Sequence, residues 1–156
     1  MFALVLLAVA AQSNHDVCRQ PKYDLDPFIA KLIKPDANDT ALLKLQKERA
    51  HARAMYMAKW NQVIDLGALS VSYFYAEVIQ QQRELWNNLA ELATTPEDKL
   101  KCAEMHLAGV KWIEKVINKN VEVGAFCSRY SNFARAAVLD AEIELLKLKE
   151  TLKAGK

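Results

Sequence analysis

After Pro35 the chain meets one more proline, Pro96, in roughly 120 residues, and a stretch so free of breakers is built for helices. It is dominated by Ala, Leu, Lys, Glu and Gln, which lose little on entering a helix. Apolar side chains recur in it at three- and four-residue steps. A first segment runs Leu42, Leu45, Ala52, Tyr56, Trp60, Val63. A second runs Val71, Phe74, Val78, Gln81, Leu85, Leu89, Leu92, and a third Leu100, Ala103, Leu107, Val110, Ile113, Ile117, Val121. A fourth runs Ala134, Val138, Ala141, Leu145, Leu148, Leu152. Each set draws one apolar stripe along a helix. No stretch alternates as a strand would, so the sequence predicts an all-α fold.

The punctuation divides this region. In Ala93-Thr94-Thr95-Pro96-Glu97-Asp98, Thr95 is a capping residue and Pro96 suits the first helical position. Glu97 and Asp98 add negative charge where free N–H groups gather. Two softer breaks, Asp65-Leu66-Gly67-Ala68 and Glu122-Val123-Gly124-Ala125, lie 57 residues apart, and Tyr73 and Tyr130 stand six residues after each Gly. They suggest a duplicated helix-turn-helix unit. Two architectures follow. If both glycines close helices, the chain is an up-down four-helix bundle with helices near 40–65, 70–93, 96–121 and 128–152, each about 37 Å long. If both lie inside helices, it is one long antiparallel, coiled-coil-like hairpin with arms of about 80 Å. Asn38 or Asp39 would cap the first helix.

Ahead of the helical domain at 40–153, residues 14–39 form a polar lead-in broken by Pro21, Pro27 and Pro35, with at most one short helical turn around Phe28–Leu32. Residues 1–13, MFALVLLAVAAQS, are an apolar run ending in small residues. Ala8-Val9-Ala10 has the character of a signal-peptidase site, although no Lys or Arg precedes the run. The reading is an exported chain, periplasmic or associated with the outer membrane; without cleavage there, a cytoplasmic one.

Chemistry-bearing residues are sparse. Lys and Arg exceed Asp and Glu by 21 to 19 and interleave with them, which argues against nucleic acid as a partner. Glu48 and His51 have the E-x-x-H spacing of di-iron bundles, but that chemistry uses the pair twice, and His106 has Ala103 at the matching place. The helical histidines are therefore read as exposed or core-edge side chains. Cys18, Cys102 and Cys127 have no metal-ligand spacing, and the two helical thiols are read as small buried side chains. No Gly-rich phosphate loop and no paired nucleophile and base stand out. The sequence thus points to no catalytic residue, no cofactor and no metal, and to a non-enzymatic protein. Aromatic residues cluster after the two glycines. Val71, Tyr73, Tyr75 and Phe126 are hard to bury on one stripe, so a docking tip is a sharper alternative to simple closure of the bundle end.

Asn120-Val121-Glu122-Val123-Gly124-Ala125, with the following Ala141-Glu142-Ile143-Glu144-Leu145-Leu146, resembles the periplasmic helical-hairpin repeat of TolC-family outer membrane efflux proteins. The resemblance spans about residues 40–152 and is weaker around Gly67. It implies long tunnel-forming helices and a Val-Gly turn at the tip that meets a partner. The tip residues would be Leu66, Gly67, Tyr73, Val123, Gly124, Phe126 and Tyr130. Tyr73 and Tyr130 stand where the family tends to carry a polar or acidic residue, and the family's membrane strands have no counterpart here. The implied role is a structural or docking component of a cell-envelope assembly linked to efflux or transport. It would self-associate or bind an envelope protein, with peripheral association to a membrane complex. The alternative is a free-standing bundle binding a small ligand, metal or haem.

Overall fold

A computed structural model describes residues 25–65 and 74–154. These form five helices and, among the described residues, no strand: α1 (Pro27–Ile33), α2 (Ala41–Asp65), α3 (Phe74–Leu92), α4 (Pro96–Glu122) and α5 (Arg129–Ala154). The fold is an all-α bundle.

The helix ends show why the chain divides where it does. Asp26 caps α1 by accepting the Phe28 N–H at 2.8 Å, with Pro27 in the first turn. Thr95 does the same for α4, accepting the Asp98 N–H at 3.0 Å ahead of Pro96. The α2 cap is Thr40, whose hydroxyl accepts the Leu43 N–H, rather than Asn38 or Asp39. Asp39 instead accepts the Asp36 N–H and holds Lys47, which also donates to the Lys34 carbonyl. That network ties the 34–40 turn to α2 and keeps the Asp39 carboxyl below its ordinary range, the Lys47 hydrogen bond being the main cause.

At the far end of α4, Gly124 takes φ +73° and is the only described residue with φ in the left-handed region. The Gly124 N–H donates to Val121 O, and the N–H groups of Ala125 and Phe126 donate to Asn120 O. A glycine in this conformation closes the helix and reverses the chain, so the long-hairpin alternative is excluded in this half. The corresponding turn at Gly67 lies outside the described residues.

Consecutive helices are neighbours: α2 lies beside α3, α3 beside α4, and α4 against α5 in the most extensive contact of the molecule. Helices α2 and α5 stand on opposite outer edges without a close backbone approach. Helix α1 wedges against α2 and α3 and gives the core Phe28, Ile29, Leu32 and Ile33. The described part of the lead-in is thus a structural element. It is pinned to α4 by Lys31, 3.0 Å from the Asp98 carboxylate, and by Lys101 over the Phe28 ring. Val78, Leu89, Ile113 and Ile117 form the centre.

Two details correct the expected stripes. In α2 the exposed residues include Leu42, Leu45 and Ala52, while Ala50, Ala54 and Met57 are buried. In α3 the residue covered by α4 is Gln82 rather than Gln81. Its amide lies over Gly109, where a Cβ would stand 1.6 Å from Nε2, so the missing side chain at 109 is what makes room for it.

Candidate functional site

The reactive side chains are scattered. Glu48 and His51 are both exposed on α2 with no third ligand, and no group of three or more His, Cys, Asp or Glu able to hold a metal exists among the described residues. Cys102 is buried at the α4 start of the core, and burial, helped by nearby Asp98, pushes its thiol up to about 11. Cys127, expected to be buried, is exposed. Cys18 lies outside the described residues.

His106, expected at the surface or core edge, is buried on α4. Burial lowers its pKa below 6.5. Glu144, whose carboxylate is 3.8 Å from Nδ1, partly opposes that shift, and Arg83 adds to it. The imidazole lies at the floor of an open groove of about 420 Å³ between α3 and α5, lined also by Ile79, Val110, Phe133, Ala136 and Asp140.

The expected docking tip is divided. Val123 and Gly124 are exposed, Val123 by 72%. Phe126, by contrast, is buried, edge-on to the buried Tyr75 at 5.3 Å between ring centroids. Tyr130 is half-buried beside Phe126, with the Arg129 guanidinium over its ring. Tyr75 and Phe126 therefore close the end of the bundle by packing on each other. Leu66, Gly67, Val71 and Tyr73 lie outside the described residues.

Among the described residues, the largest ordered set of exposed apolar side chains lies elsewhere. On α5, Ala134, Val138, Ala141 and Leu145 face inward and are buried. At 3.6 residues per turn, Leu139, Ile143 and Leu146 project about 120–180° away from that line. They are 42%, 48% and 59% exposed, and exposed Ala136 extends their row by one turn toward the groove. The sequence reading noted Ile143 and Leu146 only within the family resemblance and missed the row, although its 136, 139, 143, 146 spacing is helical.

Around this row the charges behave in two ways. Facing α4, Glu142 pairs with Lys111 at 2.9 Å, Lys149 with Glu104 at 3.6 Å, and Arg135 with Glu114 at 3.9 Å. Arg83 of α3 holds Glu144 at 2.9 Å. Asp140 and Lys147 lie on the same flank as Glu144, and Asp140 lines the groove with Arg83.

Comparison with known proteins gives no relative. No protein-family model matches the chain. No curated protein matches it, and no solved structure does.

The resemblance to TolC-family efflux proteins is overturned by these comparisons and by the helices themselves. The longest described helix, α4, has 27 residues and spans about 40 Å, which is far short of a tunnel hairpin. The envelope and efflux role, with the outer-membrane placement drawn from it, falls with the resemblance. The alternative of a ligand-, metal- or haem-binding bundle gains no support either: among the described residues no group able to hold a metal is found. No described helix is long and apolar enough to cross a membrane, and the apolar run at 1–13 lies outside the described residues.

Proposed function

We propose that this chain is a non-enzymatic helical module that binds protein through the outward face of α5. The observation that carries the reading is the exposed row Leu139, Ile143, Leu146 on the side of α5 opposite its buried stripe. A helix that only closed a bundle would be polar on that side. Apolar side chains in a helical row, bordered by charges, are what an interface places at its centre. The non-catalytic part is supported by the state of the reactive groups: the Cys102 thiol is shielded and raised, and the Glu48 and His51 pair has no third ligand among the described residues.

The test is photo-crosslinking in the cell that makes the protein, with a benzophenone amino acid in place of Ile143. The control carries it in place of Lys115, which is exposed on α4. Discrete protein adducts at 143 and none at 115 support the reading. Absence of adducts, or equal adducts at both positions, overturns it.

A further inference from the structure

We infer that the groove between α3 and α5 takes a basic side chain, lysine or arginine, from the protein partner, with Asp140 as its counter-ion. The inference rests on the reading that α5 binds protein, and it names the chemistry the partner brings.

The charges around the groove set the sign of its occupant. Among the described residues three carboxylates border it, Glu77, Asp140 and Glu144, against one guanidinium, Arg83. Arg83 is held by Glu144 at 2.9 Å. Glu77 accepts a hydrogen bond from the neutral Tyr56 hydroxyl at 2.7 Å, and neither Glu77 nor Asp140 forms an ion pair among the described residues. An anionic side chain would meet this excess of negative charge, and an apolar one would cover Asp140 without a partner. A cation complements it.

The floor and walls fit the rest of such a side chain. The His106 side chain is only 8% exposed, yet it makes no hydrogen bond, because the Glu144 carboxylate at 3.8 Å is too far from Nδ1 to accept one. Buried polar groups are normally partnered, and a neutral imidazole has a free acceptor nitrogen for an incoming N–H. Ile79, Val110 and Ala136 make the walls apolar, which suits the methylene stem of lysine or arginine. Phe133, 45% exposed, adds an aromatic ring at the same groove, a favourable neighbour for a cation. Ala136 belongs both to the groove and to the end of the outer row, so a partner seated on α5 reaches the groove without a second docking surface.

The experiment uses a displayed library of short random peptides, selected on the immobilised full, reduced chain with the Asp140→Lys chain as competitor in solution. Peptides that survive are expected to share one lysine or arginine. The strongest binder and its counterpart with norleucine at that position are then measured by fluorescence anisotropy against the wild type and Asp140→Asn. Asp140 is exposed, so the urea midpoint of Asp140→Asn should match the wild type and show that the variant folds. Removing the charge from either side should weaken binding about five- to tenfold, and removing both should weaken it little further, since the two losses are one interaction. Survivors without a common basic residue, a norleucine peptide that binds as well, or losses that simply add overturn the inference. So does a library in which no peptide prefers the wild type to Asp140→Lys. If any of these is found while protein adducts persist at position 143, the outer row still binds protein and only the groove's part falls. Coupled losses without adducts at 143 support the groove and remove the row.

Discussion

The two faces of α5 are made from similar side chains and live in opposite surroundings. The inner one, Ala134, Val138, Ala141 and Leu145, is small and covered. The outer one, Leu139, Ile143 and Leu146, is larger and open. Helix α4 explains the inner choice, because alanines let two helix axes approach closely and Val138 and Ala141 can sit against Val110. No described residue covers the outer choice. Hydrophobicity alone does not tell core from interface; side-chain size beside a packed neighbour does.

The strongest way to break this contrast is a charge on each face. Val138 is fully buried, so Val138→Asp is expected to lower stability by about 3 kcal/mol or more, since the carboxylate has no partner there. Leu146→Asp is expected to stay within about 0.5 kcal/mol. Urea unfolding, at a concentration where the chain is monomeric, reads both. Similar losses at the two positions would mean that the outer row is held within the monomer after all.

The contrast sharpens with volume. Ala141→Leu forces a branched side chain between α5 and α4 and should cost about 1–3 kcal/mol, while Ala136→Leu on the exposed side should be nearly neutral. The same logic holds between α3 and α4. Gly109→Ala should destabilise in the wild-type background because it displaces the buried Gln82 amide, although Ala gains up to about 1 kcal/mol in helix propensity. In a Gln82→Ala background that clash is gone, and Gly109→Ala should become stabilising. An unchanged sign in the double-mutant cycle would refute the close approach at Gly109.

How much of this was written in the sequence differs from element to element. The all-α class was legible because breakers are rare and apolar spacing is regular. The Thr95-Pro96 start of α4 was legible because its cap is local chemistry. Helix α1 was underread, yet Asp26-Pro27 is the same cap-and-proline arrangement, and Phe28, Ile29, Leu32 and Ile33 follow it with helical spacing. The buried line of α2 was placed out of phase. Its buried residues include two alanines, while Leu42 and Leu45 are large and exposed, so the apolar stripe misleads where small residues do the packing. Of the expected tip, Phe126 could not be assigned without knowing that Tyr75 comes against it. The outer row of α5 was legible in spacing, but its exposure depends on which stripe α4 takes, a tertiary fact.

His106 tests the boundary between covered and open ground, and its effect is the smallest of these. It lies under the groove between α3 and α5, with Glu144 at the edge of α5, Arg83 across from it, and Glu77 and Asp140 along the groove walls. Burial is the main reason its pKa falls below 6.5, ahead of the opposing pull of Glu144 and the push of Arg83. Above pH 6.5 the imidazole is neutral in both the folded and unfolded chains, and the fold has its full stability. As pH drops below 6.5 the unfolded chain takes up a proton that the folded one resists, so stability declines until the pH passes the folded pKa and then levels off. The urea midpoint should therefore fall between pH 7.5 and 5.5, and His106→Gln should remove part of that slope. If His106→Gln retains the full slope, the groove admits enough water to solvate the imidazolium, and this side of α4 belongs with the open face of α5 rather than with the core.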